Sequence, residues 1–79
     1  MISGAQIAAG RALLGLTSRQ FAERSGVGWA TIKRFESCGG IPPSRSGTLE
    51  RVKAALEQAG IEFIGDPLKS PGVRLRQAS

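Results

Sequence analysis

The chain has 79 residues, which is enough for one domain with one compact core. It contains one cysteine and no histidine, so a disulfide within the chain is excluded and a zinc site is not expected. Because histidine is missing, the carboxylates are scattered and no glycine-rich phosphate loop follows a strand, we do not expect an enzyme. We also expect no cofactor, no metal and no small-molecule ligand.

The charge balance favours a polyanionic partner. Lys and Arg number 11 against 6 Asp and Glu, a formal net charge of +5. An excess of this size on a small surface attracts nucleic acid, although charge that only keeps the protein soluble is the alternative. A membrane partner is disfavoured, since no apolar run approaches the roughly 20 residues that span a bilayer. The lone cysteine fits a reducing compartment, so we expect a cytoplasmic, nucleoid-associated protein.

The first predicted helix begins at Gly4, because Ser3 and Gln6 have the spacing of a capping box. Gly15 stands where a left-handed residue ends a helix. Arg11 falls on the otherwise apolar face of this helix, where an unpaired charge is costly.

Two short helices follow the first one. Thr17 and Gln20 form a second capping box, and Gly26 ends that helix after about two turns. A third helix is predicted from Trp29 towards Ser37. Two short helices joined by a three- or four-residue turn with glycine are typical of a helix-turn-helix.

The remainder of the chain is predicted as a loop, a fourth helix and two strands. Residues 38–47 hold three Gly and two Pro and are interpreted as a loop. Ser46 or Thr48 is expected to cap the fourth helix, which runs through Ala59. The alternating segments 61–64 and 72–76 are predicted as strands.

These elements predict a mainly α protein. We expect a compact four- to five-helix domain with a C-terminal two-stranded β extension. Residues 1–60 form the helix-turn-helix domain, with the motif at about 17–37, and residues 61–79 form the extension.

The segment LGLTSRQFAERSGVGWATIKRFE, residues 14–36, resembles the lambda-repressor/Cro-like family, often called Xre-type regulators. The shared features are Ala22, Gly26, Val27, Ile32 and the closing Arg34-Phe35-Glu36. The resemblance covers about residues 7–60 and implies a bundle whose second and third helices form the DNA-reading unit. The tail beyond residue 60 departs from the fifth helix that is usual in the family.

The third helix carries the expected base contacts. The residues that a recognition helix offers to base edges are Gly28, Trp29, Ala30, Lys33 and Arg34. Lys33 or Arg34 is expected to donate to guanine O6 and N7, and Ala30 to touch a thymine methyl group. For Trp29 two arrangements remain open. Its ring packs on a thymine methyl or sugar while its N–H donates to a phosphate, or it folds back on its own domain or a partner subunit.

The expected phosphate contacts lie at the start of the second helix and after the third. They are Thr17, Ser18, Arg19, Ser37 and Arg45. Thr17 and Ser18 carry hydroxyl groups at a helix N-terminus, where free N–H groups and the helix dipole favour an anion.

The resemblance also implies a structural ion pair. In the family, an arginine of the first helix pairs with the glutamate that ends the third, and here these residues are Arg11 and Glu36. Pairing would also relieve two charges that fall on apolar faces.

We therefore expect a transcriptional regulator that binds double-stranded DNA sequence-specifically. The alternative is an antitoxin- or cofactor-like protein-interaction module that keeps the fold with little DNA specificity, as the poor base readers Gly28 and Ala30 would allow. A homodimer is expected, because a solvated hairpin needs less apolar surface than the tail supplies. The dimerisation residues would be Ile61, Phe63, Ile64, Val73 and Leu75.

Overall fold

The computed structural model describes residues 1–44 and 47–76. Its elements are α1 (Gly4–Leu13), α2 (Ser18–Ser25), α3 (Trp29–Glu36), α4 (Thr48–Gln58), β1 (Ile61–Ile64) and β2 (Gly72–Leu75). The two strands pair antiparallel as a hairpin. The fold is thus mainly α with a C-terminal β hairpin, as the sequence predicts, with four helices in the described part of the chain.

Both predicted capping boxes are present. The Ser3 Oγ accepts from the Gln6 backbone N–H at 3.3 Å, and the Gln6 Oε1 accepts from the Ser3 N–H at 3.0 Å. The same reciprocal bonds join Thr17 and Gln20 at 3.1 and 2.9 Å. Gly26 ends α2 in the left-handed conformation, with φ of 73°. These local signals fix the starts of α1 and α2.

The start of α4 differs from the prediction. Thr48 is the first helical residue, and Gly47 is the cap position, at a left-handed φ of 72° that provides no side-chain bond. The Ser44 Oγ instead accepts from the Leu49 N–H at 2.8 Å. Because Gly47 has no side chain, the hydroxyl of Ser44 takes the place of a capping side chain. The other predicted cap, Ser46, lies outside the described residues.

A single core joins the helices to the hairpin. Its buried apolar residues are Ile2, Ile7, Phe21, Ala22, Val27, Ile32, Phe35, Leu49, Val52, Leu56 and Ile61. Phe21 of α2 and Phe35 of α3 are the largest fully buried side chains in the described part of the chain. Small Ala22 lies where α2 packs closely on its neighbours, so α2 and α3 share one core with α1 and α4.

The hairpin covers the core of its own domain. Ile61 pairs with Leu75 and Phe63 with Val73, so these four side chains share one face, and that face packs against the core. Only Ile64 of the proposed dimerisation residues belongs to the opposite face, where 43% of it is exposed.

The helical domain therefore covers one face of the hairpin and leaves Ile64 exposed on the other. The physical reason lies in α1. A Cβ on Gly10 would come within 3.3 Å of the Leu56 side chain and 3.4 Å of the Ile61 side chain. A residue without a side chain at this point allows the hairpin and α4 to close on α1.

Two close contacts hold the start of α1. The buried Gln6 side chain donates from Nε2 to the carbonyl oxygens of Gly72 at 3.1 Å and Ile64 at 3.4 Å. Gln6 therefore completes the capping box and also binds the last residue pair of the hairpin. The Gly4 N–H donates to the Gly40 carbonyl oxygen at 3.0 Å. A Cβ on Gly4 would overlap the carbonyl oxygen of Phe35. The helix therefore meets the end of α3 with backbone against backbone.

The turn of the hairpin is organised by Asp66. Its Oδ1 accepts from the backbone N–H groups of Leu68 and Lys69, both at 2.8 Å. The pKa of the Asp66 carboxyl is held below its usual range, most strongly by the hydrogen bond from the Lys69 N–H and next by the one from the Leu68 N–H. The turn is thus closed most firmly by an ionised carboxylate.

This arrangement predicts a pH dependence of the turn. Because the pKa of Asp66 is lower in the folded state, its carboxylate contributes stability above the unfolded pKa, and that contribution disappears as pH falls through the folded pKa. We expect the amide proton shifts of Leu68 and Lys69 to titrate below the usual aspartate range. An Asp66→Asn variant keeps an acceptor oxygen and should show no such titration. Identical titrations in both proteins would contradict the assignment.

Candidate nucleic-acid interface

Helix α3 buries one side and exposes the other. Ile32 and Phe35 are buried in the core, which fixes the rotation of the helix about its axis. The exposed residues at its start and along its outer side are Gly28, Trp29, Ala30, Lys33 and Arg34. All five sequence-predicted base-contact residues are therefore on the accessible surface.

Trp29 is folded back against α2. Its indole N–H donates to the Ser18 Oγ at 2.9 Å, and 38% of the residue is exposed. Of the two arrangements left open by the sequence, the structure has the one in which the ring packs on its own domain. The indole N–H thus has an acceptor within the chain, and a contact of Trp29 with DNA stays a prediction.

Two cations lie over the Trp29 ring. The Arg19 guanidinium carbon is 4.2 Å from the ring centroid, and the Lys33 ammonium nitrogen is 4.7 Å from it. These are cation–π distances. We call Ser18, Arg19, Trp29 and Lys33 the Trp29 cluster; it joins the start of α2 to the outer side of α3.

Lys33 and Arg34 point to different surroundings. Consecutive helical residues are about 100° apart around the axis. Lys33 joins the Trp29 cluster, whereas Arg34 lies 5.8 Å from the centroid of the Phe35 ring and lines a groove of about 530 Å³. The other residues that line this groove are Thr31, Phe35, Pro43, Ser44 and Thr48. Sequence reasoning missed it, because the groove depends on how the loop before α4 passes α3.

The predicted phosphate contacts fall into two places. Thr17, Ser18 and Arg19 lie together at the start of α2, where the Thr17 Oγ1 accepts from the Gln20 N–H. Ser37 follows α3, and its hydroxyl donates to the Lys33 carbonyl oxygen at 2.8 Å. The fifth candidate, Arg45, lies outside the described residues.

Arg11 and Glu36 form a bidentate ion pair. The Arg11 Nε donates to Glu36 Oε2 at 2.8 Å and its Nη2 to Glu36 Oε1 at 2.9 Å. A third bond runs from Nη1 to the Leu16 carbonyl oxygen at 2.9 Å. The hydrogen bonds to Glu36 raise the pKa of Arg11. The pair fastens α1 to the last residue of α3 and so helps to fix the orientation of α3 in the fold.

Comparison with protein-family models and with curated proteins finds no match for this chain. The resemblance to repressor-like proteins therefore remains a prediction from the residues themselves. In residues 1–44 and 47–76, no helix is both long enough and apolar enough to pass through a bilayer. The same described ranges contain no group of three or more Cys, Asp or Glu placed to hold a metal ion.

Proposed function

We propose that the chain is a sequence-specific double-stranded DNA-binding regulator of transcription, similar to the lambda-repressor/Cro-like proteins and acting on the nucleoid in the cytoplasm. The observation that carries this proposal is the exposed side of α3. Its buried side is fixed by Ile32 and Phe35, while its outer side presents Lys33 next to a second cation, Arg19 of α2. A short amphipathic helix with a basic outer side, preceded by a glycine turn, suits insertion into the major groove.

Base contacts are assigned to the outer side of α3. Lys33 donates to guanine O6 or N7, and Ala30 contacts a thymine methyl group. Gly28, which has no side chain, lets the backbone approach the bases. Arg34, one position further around the helix, reaches bases or phosphates from the groove that it lines. These contacts give the sequence preference.

Phosphate contacts are assigned to both ends of the motif. Thr17, Ser18 and Arg19 meet one strand at the start of α2, where helix N–H groups add to the attraction for an anion. The Ser18 oxygen accepts from Trp29, which leaves its O–H free to donate to a phosphate. Ser37 and Arg45 are assigned the phosphate contacts beyond the end of α3. These contacts set the register of the protein on DNA and carry no sequence information.

A charge-matched pair of variants tests this proposal. Lys33→Ala should lose about 1–3 kcal/mol at the preferred sequence and relax the base preference at one position. Lys69→Ala removes the same charge from the exposed hairpin turn and should leave the preference intact. Arg19→Ala should weaken all sequences alike and lower the salt slope by about one unit. The measurement is selection of bound sequences from random duplexes, followed by fluorescence anisotropy across a salt series.

Two results would contradict the proposal. Equal behaviour of the Lys33 and Lys69 variants would remove Lys33 as a base reader. A wild-type protein that binds no duplex in a salt-dependent manner would favour the protein-interaction module instead.

A homodimer is part of the proposal, because repressor-like domains bind two half-sites about one helical turn apart. The apolar inner face of the hairpin packs on its own core, so the exposed tail residues Ile64 and Leu68 are assigned to the interface. Sedimentation should give twice the mass of the 8.3 kDa chain. Ile64→Asp should produce a folded monomer, whereas Leu13→Asp, at a similarly exposed residue of α1, should not. A wild-type monomer would refute the dimer.

A further inference from the structure

The Trp29 cluster ties together the first residue of α3, the first residue of α2 and a basic side chain from each of these helices. The indole ring is fixed at one edge by its hydrogen bond to the Ser18 hydroxyl. The Arg19 and Lys33 side chains lie over the ring at 4.2 and 4.7 Å from its centroid. Both are long, flexible side chains at exposed positions, and the ring is the common surface on which they rest.

A cation held in this way remains able to bind an anion. A guanidinium group carries all five of its N–H donors in its own plane, so stacking on a ring leaves them free. A lysine ammonium has three donors, and those turned away from the ring stay available. Ordering such side chains at the moment of binding costs conformational entropy, which a pre-existing contact reduces. The ring therefore restricts the positions of both cationic side chains and leaves their N–H donors available for an anion.

We infer that Trp29 is a positioning residue that holds Arg19 for a phosphate and Lys33 for a base edge, and that it does not itself read a base. This inference rests on the proposed DNA-binding function and assigns a task within it. It also explains why a bulky aromatic residue stands at the start of a recognition helix: the ring is folded back on α2, where it sets the distance between the phosphate-contacting and base-contacting side chains.

The cluster is testable without DNA, because Trp29 is the single tryptophan of the chain and its fluorescence reports on this place alone. Arg19→Ala and Lys33→Ala each uncover part of the ring and should increase its quenching by acrylamide. Lys69→Ala, which removes a charge of the same sign from the hairpin turn, should not. Unchanged quenching in both cluster variants would overturn the inference.

The DNA experiment uses labelled duplexes of roughly 20 base pairs, one with the selected sequence and one with a random sequence. Trp29→Ala leaves both cationic side chains to be ordered at the moment of binding, so its affinity should fall roughly 5- to 100-fold. The affinity ratio between the two duplexes should fall as well, since Lys33 loses its fixed position. Trp29→Phe keeps a ring face for both cations and should recover most of the loss.

The outcomes separate the inference from the proposed function. If wild type binds neither duplex, both fail together. If wild type binds and Trp29→Ala matches it in affinity and duplex preference, the inference alone fails. If Trp29→Phe recovers nothing while its melting temperature equals that of wild type, the indole itself contacts DNA and the positioning role is refuted.

Discussion

Replacing Glu36 with alanine is expected to lower the free energy of unfolding by about 2–4 kcal/mol. The change leaves Arg11 charged, with only the Leu16 carbonyl oxygen as a partner, at a place where its side chain is 23% exposed. Two of the guanidinium bonds then have no acceptor, and water reaches the group only in part. The loss of bonding therefore exceeds that of a surface ion pair, which is worth about 0–1 kcal/mol.

Thermal and urea denaturation measure this loss, with Glu57→Ala as the control. Glu57 is an exposed glutamate of α4, so its variant removes the same charge and should change stability little. A cycle that includes Arg11→Ala and the double variant isolates the coupling between the two side chains. If Glu36→Ala lowers the free energy of unfolding no more than the control does, the ion pair does not stabilise the fold.

Gly4→Ala is expected to destabilise the protein by at least about 2–3 kcal/mol, although alanine is the better helix former. The propensity gain is at most about 1 kcal/mol. Against it stands the overlap of the new Cβ with the Phe35 carbonyl oxygen and a second approach, 2.9 Å from the Cys38 carbonyl oxygen. Both obstacles are backbone atoms, so no rotamer change relieves them, and α1 must move away from the end of α3.

The melting temperature checks this expectation, since 1 kcal/mol corresponds to about 4–8 °C in a domain of this size. Gly39→Ala is the matched control, because a Cβ there would meet no atom within 4 Å. We expect the Gly39 variant to melt close to wild type. A Gly4 variant that does the same would mean that α1 shifts at little cost.

The sequence predicts well what depends on neighbours three or four residues apart. The capping boxes of Ser3 and Thr17 and the helix end at Gly26 follow from local hydrogen-bonding chemistry that needs no tertiary contact. The strands follow from alternation, and β2 ends one residue before the predicted bound at Arg76. Local patterns alone do not predict that Arg11 pairs with Glu36; the family resemblance supplied that pairing.

What the sequence does not predict depends on distant packing. The covered face of the hairpin follows from the missing side chain at Gly10, which becomes informative only once Leu56 and Ile61 are known to lie opposite it. The orientation of Trp29 depends on the hydroxyl of a residue eleven positions earlier. Since the side chain has several rotamers, the sequence does not determine which of them places the indole N–H on an acceptor. The role of Ser44 at α4 likewise depends on a loop path.

The two bonds donated by the Gln6 side chain have a consequence for how the protein is made. They span 58 and 66 positions along the chain, so closing them requires a large loss of chain entropy. During synthesis on the ribosome, α1 emerges long before Gly72, so the bond from Gln6 to the Gly72 carbonyl oxygen can form only after the hairpin has been made. Assembly is thus expected as one late, cooperative event, in which a nascent chain that stops short of β2 leaves the Gln6 side chain without its acceptors in the hairpin.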